Sequence, residues 1–430
     1  MNSTHPLLPR KSPAVSPSRG LSRYPFLTVH PPPSHPAFRH LDIHPTGEGA
    51  QKGIVLSDPL GLVTDQIFVP DGLVPIVSRF DGTQTPDQIH AEIETEFGQR
   101  LPDRFVADLA RQFDERLLLH SPRFHQALTE AAAHFSSLTT RPPRHCDSPG
   151  YPADPDKLRE ALSSIVSQTR PDHPRPAPKG IIAPHIDIAR GREGYAQSYG
   201  YLAECEPADL YVVFGTGHQG PGAPITGLPL NWSTPIGEVI TDLTFVDTIA
   251  TAIGAPQPLD LYLHAQEHSI EFQMLFLAHL HHDHPFEVAG FLTGNLPSTT
   301  GNPSEEEYLQ NILEVFRATA QASGKTVCYV AGADLAHVGP FFGDEMRIDT
   351  ERLQTLSQAD HQRLSHLATG QPGDFHQAVE TSRNPDRICG STPIFMVASL
   401  AEGPGELLHY GQANAADGSQ VVTFCSVAYT

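Results

Sequence analysis

After about residue 53 the chain divides into short apolar runs rich in β-branched residues and longer segments with apolar residues three and four apart. Gly53-Ile54-Val55-Leu56 and Ile67-Phe68-Val69 read as small strands. Asp71–Phe80 reads as helical, with Leu73, Val74, Ile76 and Val77 along one side. The next helix starts at Thr85-Pro86-Asp87-Gln88. There Thr85 is an N-cap, Pro86 suits the first turn and Gln88 completes a capping box. Its apolar positions are Ile89, Ile93 and Phe97, and Gly98 stops it. A third helix from Pro102 to about Leu119 carries Phe105, Leu109, Phe113 and Leu117. Small strands followed by three short helices make residues 41–130 a compact winged-helix unit, and DGTQTPDQIH followed by ERLLLHSPRF resembles PqqD-like peptide-recognition domains.

Residues 131–145 read as a Pro-rich linker, and Asp154-Pro155 opens a further capped helix. Beyond it, Gly180–Ala183, Leu210–Phe214, Phe286–Phe291 and Thr326–Ala331 are apolar, partly β-branched runs, several followed by helical patterns. This rhythm predicts an α/β domain over residues 146–430, with a central sheet covered by helices.

Composition narrows the function classes. Residues 1–40 are rich in Pro, Ser and Arg and read as a disordered tail. Pro6, Pro9, Pro13 and Pro17 interrupt the amphipathic helix a transit peptide needs, and no apolar core of a secretory signal follows the basic residues. The formal charge is −21 over 430 residues, which argues against nucleic-acid and anionic-membrane partners. No apolar run approaches the ~20 residues that span a bilayer. Five scattered cysteines argue against a disulfide scaffold and for a reducing, cytoplasmic setting. Twenty-four histidines point to metal or proton chemistry.

In open α/β sheets, ligands bind beyond the carboxyl ends of the strands. Three runs deliver a histidine there: Pro184-His185-Ile186-Asp187, Gly215-Thr216-Gly217-His218 and Asp334-Leu335-Ala336-His337. Cys389-Gly390-Ser391-Thr392-Pro393, before the apolar Ile394–Leu400, adds a thiol. Any one of these is most simply a polar loop residue or a buried cysteine; equivalent placement of three histidines favours a transition-metal site. In Glu267-His268-Ser269-Ile270-Glu271 the carboxylates lie one helical turn apart. They read either as an acid/base pair near the substrate or as a solvated helix start. The His279–His284 run ends an amphipathic helix and suits its macrodipole without a metal. No phosphate-binding loop, nucleophile elbow or Cys-x-x-Cys pair is present.

Taken in order, Gly150–Pro155, Ala183-Pro184-His185, Phe214–His218, Thr234–Gly237, Glu267–Glu271, Asp334–His337 and Cys389–Ile394 resemble the motifs of the Memo family, also called AmmeMemoRadiSam system protein B, from about residue 143 onward. The resemblance implies a fold like that of the LigB-like class III extradiol dioxygenases. It further implies an iron or copper site formed by His185, His218 and Cys389, beside which Asp334, His337, Glu267 and His268 line a cavity. Zinc fits the same donors. A thiolate favours a soft or borderline metal, and three protein ligands leave a coordination position open, as catalysis requires. His337 is then the expected proton carrier, with Asp334 fixing its tautomer.

One stretch departs from the family pattern, which has Pro-His-Ala-Gly-Tyr where this chain has Pro-His-Ile-Asp-Ile. Asp187 is therefore an extra ligand, an orienting partner of His185 or a helix cap. The leading expectation is a dioxygenase-related oxidoreductase acting on a small molecule. Its alternative is a non-catalytic module that binds a peptide or protein in the same pocket, with AMMECR-type and radical SAM proteins as partners. A hydrolase with zinc-activated water is a third reading.

Overall fold

The computed structural model describes residues 32–47, 52–98, 100–147, 150–167, 172–220, 222–296 and 298–430. Most of the expected tail, residues 1–31, lies outside them. The described chain opens with an antiparallel three-stranded sheet, β1 (Asp42–Thr46), β2 (Gly53–Ser57) and β3 (Ile67–Pro70). Helices α1 (Val74–Val77), α2 (Pro86–Phe97), α3 (Phe105–Glu115) and α4 (Pro122–Ser136) follow. The Thr85 side chain accepts from the Gln88 N–H while the Gln88 side chain accepts from Thr85, so the capping box is formed, and Gly98 closes α2 in the left-handed conformation. The segment read as one helix from Asp71 is a 3₁₀ turn, Asp71–Leu73, continued by the short α1.

Two compact units divide this region differently from the patterning. The smaller joins residues up to Arg39 with Leu73–Leu128. Within it Phe38 packs 5.8 Å from Phe80 and 5.6 Å from Phe113, so these last residues of the expected tail help build a small core. β1, β2 and β3 belong to the larger unit, with His40–Gly72 and Thr129–Thr430. The linker stretch 131–145 holds the end of α4, the short strand β4 (Thr140–Arg141) and the fully buried Arg141.

The larger unit continues with α5 (Pro155–Ser163), β5 (Gly180–Ala183), α6 (Arg192–Ala203), β6 (Leu210–Thr216), β7 (Ile225–Gly227), β8 (Asn231–Thr234) and β9 (Gly237–Val239). Next come α7 (Leu243–Ile253), α8 (Pro258–Leu263), α9 (His268–Leu280), β10 (Glu287–Thr293), α10 (Glu307–Ser323), β11 (Val327–Gly332) and β12 (Asp334–Val338). It ends with α11 (Thr350–Ala368), α12 (Pro372–Glu380), α13 (Ser391–Ala401), β13 (Glu406–Asn414) and β14 (Val421–Tyr429).

The main sheet has the order β12-β14-β5-β11-β6-β10-β7, with β13 paired to β14. Its centre, β5-β11-β6-β10, is parallel, while β14 runs antiparallel to β5 and β12, and β7 antiparallel to β10. β5 and β6 are buried along their whole length, as strands covered on both faces must be. The main core joins Val212, Phe214 and Phe291 of the sheet to Phe316 of α10 and Phe395 of α13. The expected α/β architecture is the one observed, and all four central strands fall where the apolar runs lie.

Register places the chemistry. Gly332 of β11 pairs with Ala183 on one side and Gly215 on the other. The residues just past these strands, His185, His218 and Asp334, therefore emerge together at the carboxyl ends of the three parallel strands.

Candidate metal centre

His185 leaves β5 through Pro184, and its ring is buried. Nδ1 lies 2.8 Å from the Gly332 carbonyl and donates to it, which leaves Nε2 with a lone pair. That Nε2 is 3.3 Å from Cys389 Sγ. His218 leaves β6 through Gly217 and is held by Glu267: its backbone N–H donates to Oε2 at 3.1 Å, and its Nδ1 is 3.0 Å from the same oxygen. The remaining nitrogen, Nε2, is the one left for a metal shared with His185. Cys389 stands just before Gly390, the N-cap of α13; its carbonyl accepts from Thr216 Oγ1 at 3.1 Å. Ligand atoms of His185, His218 and Cys389 all lie within 4.8 Å of one another.

This set fits the implied iron or copper on its own chemistry. Two imidazoles come with their second nitrogens already engaged, which orients the rings, and a thiol completes a soft donor trio. Close backbone approach makes the arrangement possible. A Cβ on Gly332 would meet the Ser269 carbonyl at 2.3 Å, and one on Gly390 would meet the Asp334 carbonyl at 2.3 Å. Any side chain at either glycine would push α9 or the Cys389 turn away from the sheet.

Electrostatics set most of the donors' protonation. Burial, reinforced by His218 and His268, holds His185 well below the usual imidazole range. Burial likewise pushes His268 down to about 4 and His337 down to about 4. At His218 burial opposes the charged form, but the Glu267 carboxylate outweighs it and raises the imidazole well above its ordinary value. Burial opposes ionisation of Glu267 in turn, and His218 overcomes it, keeping the carboxylate charged. Burial raises the Cys389 thiol, so a thiolate there needs a nearby cation.

The other expected residues are distributed unevenly. Asp334 accepts from the backbone N–H of His185 at 3.0 Å, and burial raises its carboxyl to about 7. It therefore positions His185. The tautomer of His337 is governed instead by the Leu335 carbonyl, 3.1 Å from Nδ1. This differs from the expected Asp334–His337 pairing, because the strand turns the two side chains to different neighbours.

Glu267 caps α9, accepting from His268 and Ser269 N–H at 2.9 and 3.0 Å. Glu271 does not pair with it. Its carboxylate accepts from Arg141, from the Arg144 and His145 backbone, from His145 Nδ1 and from Tyr151 Oη. Spacing alone missed this hub, whose Arg141 lay in the expected linker and whose Tyr151 lay in the first motif of the domain. Asp187 accepts from the Arg190 backbone at 3.0 Å and pairs with the Arg190 guanidinium, so its side chain closes the turn after β5. His281 of the histidine run stacks on Tyr211, with Nε2 2.8 Å from its hydroxyl.

Gln273 was given no role in the sequence reading. Its Nε2 donates to the Pro184 carbonyl at 3.0 Å, and its Oε1 accepts from Tyr199 at 2.6 Å, which braces the residue before His185. A lone Gln within an apolar helix was the available signal.

Comparison with known proteins bears on the family. A family profile described as Memo-like protein matches residues 141–428. A MEMO1 family protein of Aquifex aeolicus is 25% identical over 398 residues, covering 92% of this chain and 99% of that one. One from Archaeoglobus fulgidus is 26% identical over 285 residues, covering 65% and 95%. Another, from Methanococcoides burtonii, is 34% identical over 161 residues, covering 37% and 55%.

Proposed function

The chain belongs to the Memo-like protein family, and from that premise we propose that it binds iron or copper through His185, His218 and Cys389 and acts as an oxidoreductase on a small molecule. The observation that carries this reading is the convergence of three donor side chains within 4.8 Å, each from a different segment of the chain. Bound iron or copper supplies one-electron chemistry and an open coordination position for a substrate or dioxygen.

The chain's own residues have definite parts in it. Gly332 and Glu267 orient the two rings so that their Nε2 atoms serve as donors. Asp334 holds the His185 backbone. His337, neutral near pH 7 because of its burial, accepts a proton at Nε2 while Leu335 holds Nδ1. His268, also neutral, stands beside His218 with ring centroids 5.0 Å apart.

A second reading has its own observation. Phe342 packs edge-on to His337 at 5.2 Å, and its neighbour Phe341 is 52% exposed. An aromatic rim of this kind suits a non-catalytic module that binds a peptide or protein, with AMMECR-type and radical SAM proteins as partners. A reducing, cytoplasmic setting goes with either reading. All five cysteines are free thiols, and no helix among the described residues is long and apolar enough to cross a membrane.

The test is elemental analysis of protein purified anaerobically, beside the His185→Ala/His218→Ala/Cys389→Ala triple variant. Near-stoichiometric iron or copper in the wild type and none in the variant is the expected result. Metal absent from both, with no uptake on reconstitution, would overturn the oxidoreductase reading in favour of recognition.

A further inference from the structure

The chemistry around Glu267 is not exhausted by its hold on His218. His218 Nδ1 lies 3.0 Å from Glu267 Oε2, and His268 Nδ1 lies 3.3 Å from Oε1, so two imidazoles direct the same ring atom at one carboxylate. Their rings are parallel within 13°. The ligand atoms of His218, Glu267 and His268 all fall within 4.8 Å of one another, as those of His185, His218 and Cys389 do. Donors bound side by side to one ion with bonds of ~2.0–2.2 Å stand roughly 3–3.5 Å apart, and each imidazole already stands at that spacing from the carboxylate.

We propose that His218, Glu267 and His268 form a second divalent-metal position, with His218 shared between it and the His185/Cys389 position. Two imidazoles and a carboxylate are the donor type of Fe(II), Mn(II), Co(II) and Zn(II) sites, and no sulfur is present to draw Cu(I). The inference rests on the reading of His218 as a ligand of the first position.

Nδ1 of His218 faces Glu267 and Nε2 faces the other position, so each nitrogen has its own ion. When both positions are filled, His218 binds as an imidazolate, and both ring protons of its charged form go to bulk water, one for each ion bound. Nδ1 of His268 becomes a donor atom once its proton resides on Nε2. The second position is the weaker of the two. It lacks the thiolate, and it lies at the N-terminus of α9, whose dipole opposes a cation and favours only the carboxylate that caps it.

Cobalt(II) alone is the probe, added anaerobically to metal-free full-length protein. Thiolate-to-cobalt charge transfer marks the first position, while the second contributes ligand-field bands without it. Wild type is expected to bind about two molar equivalents, the first with charge transfer and the second without. His268→Gln is expected to bind about one equivalent with charge transfer intact, at a circular-dichroism spectrum matching wild type. Cys389→Ser is expected to lose the charge transfer and keep the sulfur-free bands, and so reports on the second position even if His268→Gln fails to fold. Saturation of wild type at a single equivalent that shows charge transfer would overturn the second position and leave the first standing. A single equivalent without charge transfer would overturn the His/His/Cys reading instead, and no uptake would overturn both.

Discussion

Arg141 and Glu271, 130 positions apart in the chain, form a buried ion pair whose side chains are 0% and 2% exposed. The guanidinium also donates to the His264 and Glu267 carbonyls, at 3.0 and 2.9 Å. This one pair ties β4 to the loop and helix carrying Glu267 and His268.

Removing one partner should therefore be costly. Glu271→Gln is expected to destabilise the protein by about 3–5 kcal/mol, because it strands a buried charge on Arg141. Adding Arg141→Met to it should restore part of that loss, since the double variant buries no charge. Urea unfolding of the three proteins checks the order, and a double variant no better than Glu271→Gln would contradict it.

His264 gives a pH signature away from the metal donors. It is fully buried, with Nε2 3.0 Å from the Thr226 carbonyl, and burial lowers its pKa to about 3. The unfolded chain therefore takes up a proton near pH 6.5 that the folded chain refuses until about pH 3. The stabilisation is fully present above pH 6.5 and is lost as pH falls toward 3, at up to about 1.4 kcal/mol per pH unit. In metal-free protein, His264→Gln should flatten this part of the stability-against-pH curve by one proton's worth, measured by denaturant melts at several pH values.

Asp187 decides between a ligand and a turn residue. Its carboxylate is already taken by Arg190, so Asp187→Gly should leave metal content unchanged. The stability cost should stay near about 1 kcal/mol or below, as for other partly exposed pairs. Loss of metal in elemental analysis of this variant would make Asp187 a ligand after all.

Gly390 tests the close approach beneath the thiol. Gly390→Ala puts a methyl group 2.3 Å from the Asp334 carbonyl and 2.8 Å from Ala333 Cβ. The expected outcome is about 1–3 kcal/mol of destabilisation from overpacking and a metal affinity weakened about 10–100-fold as Cys389 shifts. Thermal melts and metal competition titrations read the two effects separately.

Much of this site is legible one strand at a time. His185 and His218 stand two residues beyond β5 and β6, and a pattern of apolar runs locates strand ends well. Cys389 was visible through its glycine and the helix that follows. What sequence does not carry is the partner of each side chain. Glu271 and Glu267 share a helix and a charge, yet one turns to Arg141 and the other to His218, because the strand pairing of β4 and the seat of α9 are tertiary facts. The same holds for β2 and β3, whose apolar pattern is clear but whose place in the larger unit depends on contacts far along the chain; β1, Asp-Ile-His-Pro-Thr, carries no such pattern and was not read as a strand.

The position of β14 has a consequence for how the protein is made. It lies between β5 and β12, yet it is translated after His185, His218, Asp334 and Cys389 alike. As the chain leaves the ribosome, β5 and β12 must wait with exposed edges until Val421–Tyr429 arrives to join them. Until then the segments bearing His185 and Asp334 have no strand between them. Metal captured before that moment would meet donors seated on an incomplete sheet, so stable loading is expected to follow the docking of β14.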